Sequence, residues 1–402
     1  MPARIRTHVG DLRGAVRLAT DATAGLADLV EAVHHRIVRL PGRGATVPAE
    51  RTRGLTGLVY KSVRGVVRLV GGSVDALLAL ITPALRDGQP QPEREAVVAA
   101  LNGVLGDHLA ASANPLAIRM TLRDGDHAVV PEREKLAERL PRTTGRVVVM
   151  VHGLCMNHLQ WTRNGHDHGN ALARDLGFTP LRLHYNTGLH ISINGAELAQ
   201  QLEDLVTEWP GRLQRLVLLG HSMGGLVLRS ACHQGRLAGH RWPQAVGDLV
   251  CLGTPHHGAP LERAGHWIDT VLGATPYAAP FARLGKVRSA GITDLRHGHL
   301  LAQEGAGRDR VGPGHPKGPR VPLPAGVRCF AVAGTLDPAD PTFKGRLLGD
   351  GLVPLDSALG RHADPARALA FAPNRQWIAR GVNHLDLLSD AAVYHRLRHW
   401  LA

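Results

Sequence analysis

A serine flanked by glycines, between two aliphatic segments, is the feature that most constrains the fold of this chain. Residues 220–224 read Gly-His-Ser-Met-Gly, after the aliphatic run Leu216–Leu219 and before Leu226–Leu228. A buried strand, a sharp turn with serine at its tip and then a helix is the context that such a sequence requires, because glycine lets strand and helix approach closely. The pattern predicts that Ser222 lies at the carboxyl edge of a sheet, with the amide of Met223 at a helix N-terminus.

Strands and helices alternate through the chain after about residue 116. The turn Asp124-Gly125, between two short alternating segments, predicts a hairpin. The later strands are continuous aliphatic runs, which is typical of a mostly parallel sheet with helices on both faces, so we expect an α/β fold. The predicted strands are Arg146–Val151, Leu181–Tyr185, Arg215–Leu219, Asp248–Leu252 and Arg328–Ala333, and the predicted helices are Asn170–Leu176, Ala196–Trp209, Gly225–His233 and Ala391–Leu401.

The first 110 residues have helical periodicity throughout, with a third helix expected over Glu93–Leu109. The 402-residue chain is therefore predicted to divide into a helical segment, 1–112, and an α/β domain, 113–402. The apolar stripes of the first helices either face a core or form a surface that contacts lipid or covers an active site, and both interpretations stay open. Between about 258 and 326 the regular alternation lapses, which predicts an inserted lid.

The charge and hydropathy of the chain indicate its expected location and partners. The net charge of +13 comes mainly from arginines interspersed with acidic residues, which favours a solvated surface, with a membrane or an anionic ligand as the alternative. No recognised module or clustered basic face indicates nucleic acid. The sequence has no long apolar span and no signal-peptide pattern, so we expect a cytoplasmic protein, with peripheral contact of the N-terminal helices with the inner membrane as the alternative.

The cysteines and the clustered histidines predict neither a disulfide framework nor a metal site. The cysteines are widely spaced and form no Cys-x-x-Cys pair, so we expect reduced thiols that pack in the core. The histidine clusters lack the spacing and the third ligand of a zinc site. The residues by themselves therefore predict no metal and no cofactor. The cysteines are Cys155, Cys232, Cys251 and Cys329, and the clusters are His166-Asp167-His168 and His256-His257.

A serine nucleophile requires a base, an acid that orients the base, and donors for an oxyanion. The expected base is His384, which lies before the last predicted helix. The acid is either Asp350, in a glycine-flanked turn, or Asp337, directly after a predicted strand. Both candidates give the chain order serine, acid, histidine that a strand–turn–helix serine uses. The residues alone favour Asp350 and leave Asp337 open.

The expected oxyanion donors are two backbone amides. The apolar strand that ends at Val151 runs into His152-Gly153, and glycine there permits close approach of the backbone to a ligand. The next amide, that of Leu154, is the first predicted donor. The amide of Met223, at the start of the helix that follows Ser222, is the second.

Several motifs together resemble the α/β-hydrolase superfamily, and most closely bacterial triacylglycerol lipases of the Pseudomonas/Burkholderia type and GPI-inositol-deacylase-like serine esterases. The resemblance covers roughly residues 115–402. It implies an α/β-hydrolase fold, Asp350 and His384 as the acid and base, and Leu154 and Met223 as the oxyanion donors. In those lipases the aspartate that corresponds to Asp386 helps to bind a structural calcium ion. The motifs are His152–Leu154, Gly220–Gly225, Gly253–Gly258, Asp350–Val353 and Asn383–Asp386.

These observations predict a serine carboxylic-ester hydrolase whose substrate is a hydrophobic acyl ester, since the predicted insertion and the helical segment are rich in apolar residues. The same set of residues also serves hydrolysis of thioesters, lactones and amides, and does not select among them. A different class of function is a lipid-binding or membrane-binding protein in which the N-terminal helices carry the activity.

Overall fold

The computed structural model describes residues 14, 16–21, 92–141, 143–259, 289–301, 321–339 and 343–402. The first two predicted helices and most of the predicted lid, 258–326, lie outside the described residues. Within that lid, residues 289–301 are described and contain a helix.

Within the described residues, eight strands form one sheet in the order β2-β1-β4-β3-β5-β6-β7-β8. The antiparallel hairpin β1–β2 pairs with β4 at one edge. All pairs from β4 to β8 are parallel, so their carboxyl ends lie at the same edge of the sheet. The strands are β1 Thr121–Asp124, β2 His127–Ala128, β3 Arg146–Val151, β4 Thr179–His184, β5 Arg215–His221, β6 Val246–Leu252, β7 Arg328–Thr335 and β8 Gln376–Arg380.

The central strands are buried on both faces because helices cover the sheet on each side. In β3 successive residues point to opposite faces: Val149 and Val151 belong to one apolar cluster, whereas Val148 and Met150 belong to the other. The described helices are α1 Pro92–Ala111, α2 Arg133–Arg139, α3 His168–Leu176, α4 Ile191–Glu208, α5 Met223–Leu237, α6 Trp242–Ala245, α7 Ala290–His297, α8 Phe343–Leu348, α9 Leu355–Ala358 and α10 Ala391–Leu401.

The predicted hairpin, parallel sheet and helices are confirmed within the described residues, and α10 has the predicted bounds. Other helices are longer than predicted; α5 begins at Met223 rather than Gly225. Strand β8 was not predicted. It pairs only with β7 at the edge of the sheet and is half-buried over most of its length, so its sequence lacks the continuous aliphatic run that marks a central strand.

The chain divides into two compact units, and the predicted boundary at residue 112 stays a prediction. One unit contains 1–91 and 109–117, and the other contains 92–108 and 118–402. Most of α1 belongs to the larger unit because its backbone is hydrogen-bonded there. Asn186 Nδ2 donates to the carbonyl of Gly106 over 2.9 Å, and Ser289 Oγ donates to that of Gly103 over 2.7 Å.

The cysteine prediction is confirmed: all four cysteines are free and buried. Burial raises the pKa of the Cys155, Cys251 and Cys329 thiols to about 12, so these thiols stay protonated and pack as small apolar groups. No helix in the described part of the chain is both long enough and apolar enough to cross a membrane.

Candidate active site

Ser222 lies in the sharp turn between β5 and α5, with φ +54° and ψ −125°. An L-residue rarely has a positive φ, and such strain persists only where the surroundings impose it. The flanking glycines are required by packing. A Cβ on Gly220 would lie 2.5 Å from the amide nitrogen of Gly225, and a Cβ on Gly224 would lie 2.0 Å from the carbonyl oxygen of Val151. The turn therefore holds Ser222 at the carboxyl edge of the sheet, where it is 3% exposed.

His384 and Asp350 form a buried pair, with 2.7 Å between His384 Nδ1 and Asp350 Oδ2. The second oxygen, Asp350 Oδ1, accepts hydrogen bonds from the amides of Leu352 and Val353 at 3.0 and 2.8 Å. The carboxylate is thereby fixed on both oxygens, and the imidazole is oriented with Nε2 left for other partners. Asp337, the alternative acid, forms no hydrogen bond or ion pair with His384, although both residues are described; it is a half-buried residue whose carbonyl accepts from the amide of Gly381.

The ends of neighbouring strands bring Ser222, Asp350 and His384 to one edge of the sheet. The amide of Ser222 donates to the carbonyl of Leu252 at the end of β6. The next residue, Gly253, has φ +56°, and a Cβ there would lie 3.1 Å from both Asp350 Oδ2 and His384 Cε1. The serine turn and the acid–base pair therefore meet at the carboxyl ends of β5, β6 and β7.

The Ser222 hydroxyl and the His384 ring, both among the described residues, form no hydrogen bond with each other. A looser contact before substrate binds is usual for a catalytic serine and its base. Instead, the residue before the serine, His221, contacts the backbone of His384. His221 Nε2 lies 2.9 Å from the carbonyl oxygen of His384, and the centroids of these two rings are 4.7 Å apart.

His221 is a residue of the site to which the sequence analysis gave no role. Its position between Gly220 and Ser222, at the end of β5, is the signal that could have found it. Burial, followed by the nearby His384, holds the pKa of His221 well below its ordinary value. His221 is therefore neutral, and its Nε2–H can donate to the His384 carbonyl.

The loop after β3 approaches the serine turn closely. A Cβ on Gly153 would lie 3.0 Å from the Cβ of Ser222. The neighbouring Leu154 and Met223 are buried, and neither amide donates a hydrogen bond within the described residues. Met223 is the first residue of α5, where amides have no partner inside the helix. The geometry leaves both predicted donors available beside Ser222.

The side chain predicted by resemblance to hold calcium has protein partners. Asp386 Oδ1 lies 3.6 Å from Arg163 Nε, and Asp386 Oδ2 accepts from Asn383 Nδ2. Asp390 caps α10 by accepting from the amide of Val393. Calcium takes six to eight oxygen ligands, and the described residues contain no group of three His, Cys, Asp or Glu side chains arranged around a metal position. These contacts do not fit a calcium site, and no step proposed below uses one.

Comparisons with known proteins agree with this fold. Residues 142–304 match the family model of the PGAP1-like alpha/beta domain. A comparison with curated proteins gave no match.

Similar solved structures include a lipase of Bacillus licheniformis, BlEst2 in its mature form, and an esterase of Pyrobaculum calidifontis. The lipase is 18% identical, covers 70% of this chain and 97% of its own, and has a TM-score of 0.42. The esterase is 14% identical, covers 78% of this chain and 94% of its own, and has a TM-score of 0.39.

The fold assignment depends on the family match and on the sheet. The matched segment, 142–304, contains β3–β6, the loop after β3 and the Ser222 turn. The parallel strands β3–β8 and the helices between them complete the arrangement around the site. The chain therefore has an α/β-hydrolase fold, and its central segment, 142–304, is similar to the PGAP1-like alpha/beta domain.

Proposed function

We propose that this protein is a serine carboxylic-ester hydrolase that acts on a hydrophobic acyl ester. The observation that carries the proposal is the buried His384–Asp350 pair, 2.7 Å apart, at the strand edge that also holds Ser222. An imidazole with one nitrogen fixed by a buried carboxylate is the arrangement that makes a serine hydroxyl nucleophilic. Packing of the hydrophobic core does not by itself require these three polar side chains to lie together.

In the proposed reaction Ser222 Oγ attacks the ester carbonyl while His384 Nε2 takes the hydroxyl proton. The carbonyl π electrons move to the oxygen, which becomes the oxyanion. When the tetrahedral intermediate collapses, the alcohol leaves with the proton from His384, and an acyl-serine remains. A water molecule then attacks the acyl group, His384 takes a proton from it, and the carboxylic acid is released as Ser222 regains its proton.

The amides of Leu154 and Met223 are proposed to stabilise the oxyanion. Each is buried, so its hydrogen bond to a developing negative charge is not weakened by competing water. Loss of one such donor typically costs about 3 kcal/mol in the transition state. Asp350 stabilises the imidazolium that forms on His384 during attack.

The substrate class is proposed from the composition of the predicted insertion. The sequence between 258 and 288 contains several large apolar residues, which favours a substrate with an acyl chain over a small polar one. Thioesters, lactones and amides are compatible with the same groups, so a panel of leaving groups belongs to the test.

The test joins covalent labelling with turnover. Wild-type protein is expected to react with a fluorophosphonate probe at Ser222 and to hydrolyse p-nitrophenyl esters, with a preference for longer acyl chains. Ser222→Ala should lose both labelling and turnover while it keeps its circular dichroism spectrum and unfolding midpoint. Ser389→Ala, whose hydroxyl accepts a hydrogen bond from Asn164, is the matched control and should retain both. Ester turnover by Ser222→Ala at the wild-type rate would remove Ser222 from the mechanism.

A further inference from the structure

The loop that carries the Leu154 amide is held at both ends by side chains that follow β4. Tyr185 Oη donates to the carbonyl of His152 over 2.8 Å. Thr187 Oγ1 accepts from the amide of Cys155 over 3.1 Å. The two bonds enclose Gly153 and Leu154, and Gly153 lies against Ser222.

Both side chains are fixed in place before any substrate arrives. Tyr185 and Thr187 are buried, at 0% and 1% exposure, and they follow directly on β4, which is paired with β3. A buried hydroxyl that hydrogen-bonds to backbone cannot exchange that partner for water at low cost. The loop after β3 is therefore tied to the loop after β4, the next strand in the sheet.

The loop needs this restraint because its backbone is strained. Cys155 has φ +59°, a conformation that costs a non-glycine residue about 1–3 kcal/mol unless the surroundings impose it. Cys155 donates its amide to Thr187, and α1 packs against its side chain at Gly103, where a Cβ would lie 2.2 Å from Cys155 Sγ. The amide of Cys155 is occupied by Thr187, whereas the amide of Leu154 has no hydrogen-bond partner among the described residues.

We infer that Tyr185 and Thr187 are positioning residues of the oxyanion hole. They hold the peptide between Gly153 and Leu154 so that its N–H points at the carbonyl oxygen of the substrate, and they contact no substrate themselves. The inference depends on the proposed function, since it concerns the same site. A positioning role acts on the transition state more than on substrate binding, so it changes kcat with little effect on KM.

The experiment uses the full-length protein and removes each hydroxyl with little change of shape. Tyr185→Phe and Thr187→Val are expected to lower kcat about tenfold each, because displacement of a catalytic donor costs part of the 10²–10³-fold that its removal costs. KM for the same p-nitrophenyl ester should stay within about twofold. Thr187→Ser keeps the acceptor and should restore kcat. Affinity for a trifluoromethyl ketone, whose adduct carries the oxyanion, should fall in parallel with kcat.

Matched controls separate this role from general stability. Tyr394→Phe removes a hydroxyl that donates to Asp175, and Thr144→Val removes one that donates to the carbonyl of Gly177; both should keep wild-type kcat. If Tyr185→Phe does not fold, Thr187→Val and Thr187→Ser decide the question. Folded variants with wild-type kcat and ketone affinity would overturn the inference, whereas a wild-type protein without turnover or labelling would overturn the proposed function itself.

Discussion

At the scale of single residues, the site depends on backbone conformations that few residues adopt. Ser222 at φ +54° and Cys155 at φ +59° are two of the four non-glycine residues with positive φ in the described chain. They lie on the two sides of the proposed oxyanion hole, one after β5 and the other after β3. Strain of this kind is concentrated at sites where the surrounding structure over-determines the backbone, which is consistent with a functional rather than a purely structural turn.

The choice of acid gives a prediction at the same scale. Asp350→Asn should lower kcat about 10³–10⁴-fold, because an amide can donate to His384 Nδ1 and so favours the wrong tautomer of the base. Steady-state kinetics with a p-nitrophenyl ester measures this. Asp337→Asn is the matched variant and should retain near wild-type kcat, since Asp337 forms no hydrogen bond or ion pair with His384. A large loss in Asp337→Asn with little loss in Asp350→Asn would reverse the assignment.

At the scale of elements, α1 supports the site through positions that lack a side chain. Gly103 and Gly106 face the loops after β3 and β4, where a Cβ would lie 2.2 Å from Cys155 Sγ and 1.9 Å from Asn186 Oδ1. Glycine disfavours a helix by about 1 kcal/mol relative to alanine. Two glycines within one turn of α1 therefore indicate that close approach of the helix to the neighbouring loops outweighs the loss of helix propensity. This helix therefore belongs structurally to the α/β unit.

Gly103→Ala should destabilise the protein by about 1–2 kcal/mol. The overpacking penalty of about 1–3 kcal/mol exceeds the gain in helix propensity, and the clash includes the backbone of Cys155, which rotation of a side chain cannot relieve. Urea unfolding followed by circular dichroism measures the change. Gly211→Ala, where no atom lies within 4 Å of an added Cβ, is the control and should leave the unfolding free energy nearly unchanged. An equal effect in both variants would contradict the packing argument.

At the scale of the whole molecule, several histidines are buried without charge. Burial lowers the pKa of His152 and of His168 to about 4, and burial with neighbouring positive groups lowers that of His158 to about 3. The unfolded chain protonates histidine near its ordinary pKa of about 6.5. Between these values the unfolded state binds more protons than the folded state, so acid favours unfolding.

Stability is therefore expected to fall as the pH drops from about 6.5 towards 4, by up to about 1.4 kcal/mol per pH unit for each such histidine. His168 Nε2 donates to the Leu387 carbonyl over 2.9 Å, and this bond together with Asp167 and Asp390 opposes the downward pKa shift only in part. Urea unfolding at several pH values tests this. His168→Gln should reduce the slope of the unfolding free energy against pH by the contribution of about one proton. His399→Gln should leave this slope unchanged, because the side chain of His399 is exposed. An unchanged slope in His168→Gln would contradict the argument.

Sequence patterns alone predicted the alternation of strands and helices, the serine turn, and His384 and Asp350 as candidate site residues. Periodicity and glycine spacing are local, and local patterns report which segments are buried and where a turn must be tight. The resemblance of several motifs then favoured Asp350 over Asp337. The described residues agree with these elements, and the paired geometry of His384 and Asp350 supports that choice.

Only the tertiary structure decided which groups meet. The bond from His221 to the His384 carbonyl and the bonds of Tyr185 and Thr187 to the loop after β3 join segments distant in sequence, and no periodicity encodes them. The grouping of α1 with the α/β unit has the same origin, since it depends on the shape of loops that glycine allows to approach. The sequence of each segment determines which of its side chains can be buried. The order of the parallel strands determines which loops lie side by side at the carboxyl edge of the sheet, and the candidate site lies at that edge.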